Sequence, residues 1–179
     1  MIATSRRFNP QRSKRPAFSL LEVTISSMIV GVMLVAALNA VGAATTGRFR
    51  SAEQSQAQLL ADALIAEVLE LVYEEPVDPP VFGPEWDEEL TATRAAFDDV
   101  DDYHGWSSKP PVDKDGTQLG NADNWTRSVV VNYASAANLA VNVGTDSGIK
   151  QIAVTVTNGR AAASAMMIVT DAWQPLANE

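Results

Sequence analysis

Lys14-Arg15-Pro16-Ala17-Phe18-Ser19-Leu20-Leu21-Glu22-Val23 is the stretch that organises the rest of this chain. Before and within it, residues 1–17 carry five bases (Arg6, Arg7, Arg12, Lys14 and Arg15) and no acid. After it, residues 23–47 are twenty-five positions without a charge. At about 1.5 Å per residue, a helix over that run is roughly 37 Å long. The hydrocarbon core of a bilayer is about 30 Å thick, so the run can span it. A basic start followed by an apolar run is the pattern of a membrane-targeted N-terminus. The five preceding bases predict a cytoplasmic N-terminus and a bulk that lies outside. One residue does not suit a plain anchor. Glu22 places a carboxylate at the mouth of the apolar run, at a cost on the order of 2.5–3.5 kcal/mol by insertion scales, and so calls for a partner.

Basic leader, Phe18, short apolar stretch and Glu22 together resemble the class III signal of type IV prepilins and type II secretion pseudopilins. Ala17 stands where that family usually has Gly. The resemblance implies that a membrane prepilin peptidase cuts between Ala17 and Phe18, that the new Phe18 amine is methylated, and that the apolar helix stays in the mature protein. It further implies that Glu22 of one subunit meets the Phe18 amine of a neighbour, so that two costly membrane charges neutralise each other and set the register of a filament. A buried pair of this kind serves specificity more than net stability. The competing reading is an ordinary secretory signal. Small residues at Ala40-Val41-Gly42-Ala43-Ala44 would then be the cleavage site, and a soluble acidic domain would be released.

The whole chain of 179 residues has 13 Lys+Arg against 22 Asp+Glu, one His and no Cys. That length suits one modest domain with an appendage. With 46% apolar residues the chain can build a core. Absence of cysteine excludes disulfides, thiol nucleophiles and thiolate zinc sites. A net charge of −9 argues against broad nucleic-acid binding.

Helical character continues past residue 47. Ala57, Leu60, Leu64, Val68 and Leu71 recur at spacings of three and four, one apolar stripe with Gln54, Gln58, Asp62, Glu67 and Glu70 around the rest. Residues 48–73 hold neither Pro nor Gly. Joined to the apolar run they predict a single helix of about fifty-five residues, roughly 80 Å long. Glu75-Pro76 is the expected stop, because the residue before proline is pushed out of the α region. Pro76, Pro79, Pro80 and Pro84 then predict a semi-extended linker, the start of an irregular region over 76–125.

Eight acids against one base, Arg94, fall in 85–102. The sharpest piece is Phe97-Asp-Asp-Val-Asp-Asp-Tyr-His-Gly-Trp106, where aromatics alternate with carboxylates. The plain reading packs the aromatics on a core and turns the acids to water. The functional alternative is calcium on Asp99, Asp101 and Asp102, since hard carboxylate oxygens suit that ion, although the spacing is not that of a twelve-residue EF-hand loop. Together with the stalk segment 57–70, this string resembles minor pilins of the mannose-sensitive haemagglutinin type.

The last third reads as β. Residues 126–133 alternate, with Val129, Val131 and Tyr133 on one face, and 149–157 alternate with Ile152, Val154 and Val156. Asn158-Gly159 predicts a type I′ hairpin into 161–170, where Met166 and Ile168 are apolar but Met167 and Val169 blur the alternation. Asn142-Val-Gly144 reads as a turn, and Trp173 as a packing anchor at the end. A three- or four-stranded antiparallel sheet laid on the stalk stripe predicts an α+β, pilin-like head over 126–179. His104 is the only candidate catalytic base, and no nucleophile-elbow pattern accompanies it. A loop histidine satisfied by neighbouring carboxylates is the expectation, and no enzymatic activity or resident cofactor is expected. The resemblance implies a structural subunit, a minor pilin or pseudopilin, of a filament anchored in the inner membrane before assembly. Its partners would be other subunits, the prepilin peptidase, an assembly platform and lipid.

Overall fold

The computed structural model describes residues 18–75, 81–89 and 93–172 of the chain. It divides into two compact units, Met1–Gly47 and Arg48–Glu179. The class is α+β: one long helix, apolar in its N-terminal part, and an antiparallel sheet of five strands among the described residues.

Helix α1 runs Leu20–Val68, and its part in the first unit is exposed at every residue. Its start is capped by Ser19, whose hydroxyl accepts from the Glu22 amide at 3.1 Å while its carbonyl accepts from the Val23 amide at 3.1 Å. Ser19 thus satisfies donors that every helix leaves open at its first turn. The helix is long and apolar enough to cross a membrane.

In the second unit α1 buries Ala57, Ala61, Leu64, Ile65 and Val68. That face is the expected stripe, widened by Ala61 and Ile65. It packs on Val129 and Val131 of one strand and Ile152, Val154 and Val156 of the next, all of them wholly enclosed. At about 25 cal/mol per Å² this burial is the main favourable term that holds helix to sheet.

The helix stops at Val68 and does not run on to Glu75. Bonds from Glu70 to Glu67 and from Leu71 to Val68 tighten its last turn. Val72 then pairs in parallel with Asp99, and the Val100 amide donates to the Val72 carbonyl at 3.1 Å. Tyr73 gives its carbonyl to Lys150 and its hydroxyl to Asp146. These tertiary partners replace the helical bonds that propensity alone would favour.

The sheet consists of β1 (Ser107–Ser108), β2 (Thr126–Ser135), β3 (Asn138–Val143), β4 (Ile149–Thr157) and β5 (Ala162–Thr170). Its order is β1-β2-β4-β5, with β3 also paired to β2. β1 meets β2 at Ser128 and Arg127, whereas β3 meets it at Tyr133 to Ser135, with a register shift at Ala134/Ser135. That shift accompanies a change of face, for Ala134 is buried and Tyr133 only half-buried. Asn142 and Val143 belong to β3, which corrects the reading of Asn142-Val-Gly144 as a turn. A four-residue turn, 158–161, in place of a two-residue type I′ turn, links β4 to β5. Gly159 alone takes a positive φ, of 83°, and the Asn158 side chain accepts from the amides of Arg160 and Ala161. On β5 it is Ala163 and Val169, with Met167 packed beside them, that face the core, and Met166 points out to solvent. The leader, Ala17, the prolines Pro76, Pro79 and Pro80, and Trp173 lie outside the described residues.

Candidate functional site

Two places bring chemically capable groups together, and they lie in different units. In the first unit, Phe18 is exposed immediately before α1 and Glu22 lies in its first turn. A carboxylate there is favoured by the helix dipole. Glu22 forms no ion pair with another described residue, so the partner its charge calls for is not supplied by the described part of its own chain. Along residues 18–47 the helix presents Leu20, Met28, Val32, Met33 and Leu38 to the outside.

In the second unit the acidic string folds inward. Asp99, Asp101 and Asp102 are buried, which corrects the expectation that these acids point to water. The reason is a surplus of backbone amides. Asp99 accepts from the amides of Glu75 at 3.0 Å, Asp101 at 2.7 Å and Asp102 at 3.3 Å. Asp102 accepts from the amides of Asp98 at 2.9 Å and Asp99 at 3.0 Å. Asp101 accepts from the Gly83 amide at 3.0 Å and pairs with the enclosed ammonium of Lys150. Burying a carboxylate is costly unless it is paired and hydrogen-bonded. Here the loop itself provides the donors, and the three acids staple residues 72–75, 81–85 and β4 to one another.

This arrangement also changes where a cation would sit. Asp99 and Asp101 turn to the backbone and to Lys150, so they do not converge on a common point with Asp102. The carboxylate oxygens that do converge, within 4.8 Å of one another, are those of Glu85, Glu88 and Asp102. Such a triad either shares protons or takes a hard divalent cation. Burial first and then the charge of Asp102 push the Glu88 carboxyl up to about 8. Burial, followed by repulsion from Asp101 and Asp102, pushes Asp99 up to about 8 as well. Asp102 is also raised, chiefly by burial and against the pull of its backbone donors.

No family model, no curated protein and no solved structure matches this chain.

A second polar cluster lies one turn back along the stalk. Arg94 grips Glu67 with two bonds, Nε to Oε1 at 2.8 Å and Nη2 to Oε2 at 3.0 Å, while the Tyr103 hydroxyl donates to Oε1 at 2.7 Å. The Arg94 guanidinium also lies 4.0 Å from the Trp106 ring centre. Burial opposes ionisation of Glu67, yet the bonds from Arg94 and Tyr103 hold it below its ordinary value. Glu67 is therefore an internal anchor and not one of the solvated positions of the stalk. His104 likewise departs from expectation. Its Nδ1 lies 2.6 Å from the Val131 carbonyl and its ring packs 5.1 Å from Phe82, so the backbone of β2 satisfies it, not the neighbouring carboxylates.

Three cations, Arg94, Arg127 and Lys150, are buried, which composition and charge do not predict. For two of them a signal existed. Period-two alternation puts Arg127 on the face of Val129 and Val131, and Lys150 on that of Ile152, Val154 and Val156.

Proposed function

We propose that this chain is a structural subunit, a minor pilin or pseudopilin, of a type IV pilus-like filament, anchored in the inner membrane before assembly. One observation carries the reading. Phe18, Ser19 and Glu22 stand at the capped start of a helix whose next twenty-five residues are uncharged and exposed. Apolar side chains left uncovered over that length need lipid or other helices around them. The small residues Ser26, Ser27, Gly31, Ala36, Ala37 and Ala40 let neighbouring helices approach closely. A prepilin peptidase would cut before Phe18 and its amine would be methylated. Glu22 would meet that amine on the next copy, a head-to-tail contact that does not close and so builds a fibre. The head would stand outside the membrane, and neither catalysis nor nucleic-acid binding forms part of the role.

Mass determination of the mature N-terminus tests this. A chain beginning at Phe18 with one added methyl is expected. A chain beginning near Thr45, freely dissolved, would overturn the reading in favour of a conventionally secreted acidic domain.

The convergence of Glu85, Glu88 and Asp102 favours a second, compatible reading in which the head takes up calcium. At pH 8, millimolar calcium would then raise the melting temperature of the head, and Glu88→Gln would abolish the rise. No rise in the parent chain sinks this reading.

A further inference from the structure

The cations of the second unit are divided by burial. Arg94, Arg127 and Lys150 are inside and Lys114 is half-buried. Those exposed among the described residues are Arg48, Arg50, Lys109 and Arg160. All four gather at one end. Lys109 and Arg160 line a polar pocket of about 340 Å³ with Glu53, Asn124 and Asn158. Arg50 lies one turn before Glu53 on α1, and Arg48 falls in the turn before that. Gln54 donates to the Ala162 carbonyl at 2.9 Å and Gln56 to the Asn121 carbonyl at 2.8 Å, which fixes the β4–β5 turn and the loop before β2 against the same turns of helix. Among the described residues, Glu53 lines the same pocket, and the loop before β2 carries Asp113, Asp115 and Asp123, the last bonded to Gln118.

The buried acids lie elsewhere. Asp99, Asp101 and Asp102 lie where α1 ends, some fifteen residues or roughly 22 Å along the helix from Glu53. The head is therefore polarised along the stalk, in a chain whose net charge is −9.

We infer that Arg48, Arg50, Lys109 and Arg160 form a docking surface for the phosphates of anionic lipid headgroups, so that the loops before β2 and between β4 and β5 rest on the outer leaflet while the subunit waits in the membrane. The inference rests on the membrane-anchored reading above. Three features favour lipid over the acidic end of a second copy. Arg48 follows directly on the last residue of the uncharged run, at the depth where headgroups begin. Exposed Phe49 stands between Arg48 and Arg50, and an aromatic among cations is the ordinary composition of an interfacial belt. Third, the densest acids of the other end are occupied internally by backbone amides and Lys150, so they offer little charge to a neighbour.

The test uses the full chain in nanodiscs of phosphatidylcholine alone or mixed with phosphatidylglycerol, with hydrogen exchange of residues 107–111 and 157–162 as the signal. Exchange in both segments should slow by at least about fivefold with the anionic lipid, since each surface cation contributes roughly that factor, and the effect should fade at high salt. Lys109→Glu with Arg160→Glu should remove it, with head melting unchanged because both side chains are exposed. Lys109→Arg with Arg160→Lys should keep it. Equal exchange in the two lipids, with the chain still held in the disc, overturns the docking surface and leaves the anchor intact. A chain that does not remain in the disc at all overturns the anchor itself. Protection that depends on several chains per disc, whatever the lipid, overturns lipid docking in favour of contact between copies.

Discussion

Lys150 has no exposed surface, yet its ammonium has three kinds of partner: the Asp101 carboxylate, the Tyr73 carbonyl, and the Tyr73 ring, whose centre is 4.2 Å away. Removing one member of such a pair leaves the other charge enclosed and uncompensated, which costs about 3–5 kcal/mol. Lys150→Met should therefore destabilise the head by that order in urea unfolding followed by tryptophan fluorescence. Lys150→Met combined with Asp101→Asn should recover much of it, because the amide can still accept from Gly83. Equal losses in the single and double variants would mean that the ion pair is incidental. Glu22 is the opposite case, a carboxylate with a capped helix start behind it and no cation among its described neighbours. Glu22→Ala should leave processing and insertion unchanged but cut incorporation into filaments by an order of magnitude or more, read as the ratio of assembled to membrane-held protein. Full incorporation would refute the pairing role.

Among the elements, the β4–β5 hairpin gives the cleanest measurement. Gly159 takes φ of 83° in the turn, and a Cβ built there meets nothing within 4 Å. Only backbone conformation then opposes a side chain. Gly159→Ala should cost about 1–2 kcal/mol and no more, measured as a fall in unfolding midpoint without a change in its slope. The hairpin itself was readable from alternation on both sides of Asn158-Gly159, but its turn type was not. Two more residues enter the turn because the Asn158 side chain supplies the acceptor for the following amides. β3 carried a usable signal too, for Leu139, Val141 and Val143 alternate. Alternation of this kind is a weak guide here because the strand buries almost nothing: Leu139 and Val141 stay exposed, and β3 is held by its hydrogen bonding to β2.

At the scale of the molecule, crowded carboxylates give the head a pH dependence opposite to that of most acidic proteins. Glu88 and Asp99 are pushed up to about 8 in the folded state, against ordinary values near 4. Between those values the folded head retains protons that the unfolded chain has released, so stability falls as pH rises from about 4 to 8. Glu67 works the other way, since its lowered value means stability is lost as pH falls through the acid range. Melting should therefore be higher at pH 5 than at pH 8.5 without divalent cations; a rise over that interval would contradict the buried triad. The long helix, its apolar first half, the stripe at Ala57 to Val68 and the two inner strands were determined by sequence alone, because periodicity and the absence of charge are properties of single segments. Tertiary structure alone decided that α1 ends at Val68, that the acidic string turns inward, that Arg94 is enclosed, and that Lys150, which alternation already places on the inner face of β4, meets a counter-charge there. In each case the partner lies far along the chain: Tyr73 and Asp101 await Lys150, and Glu67 awaits Arg94. A buried charge is tolerable only once its counter-charge and donors have arrived, and no local pattern announces that meeting.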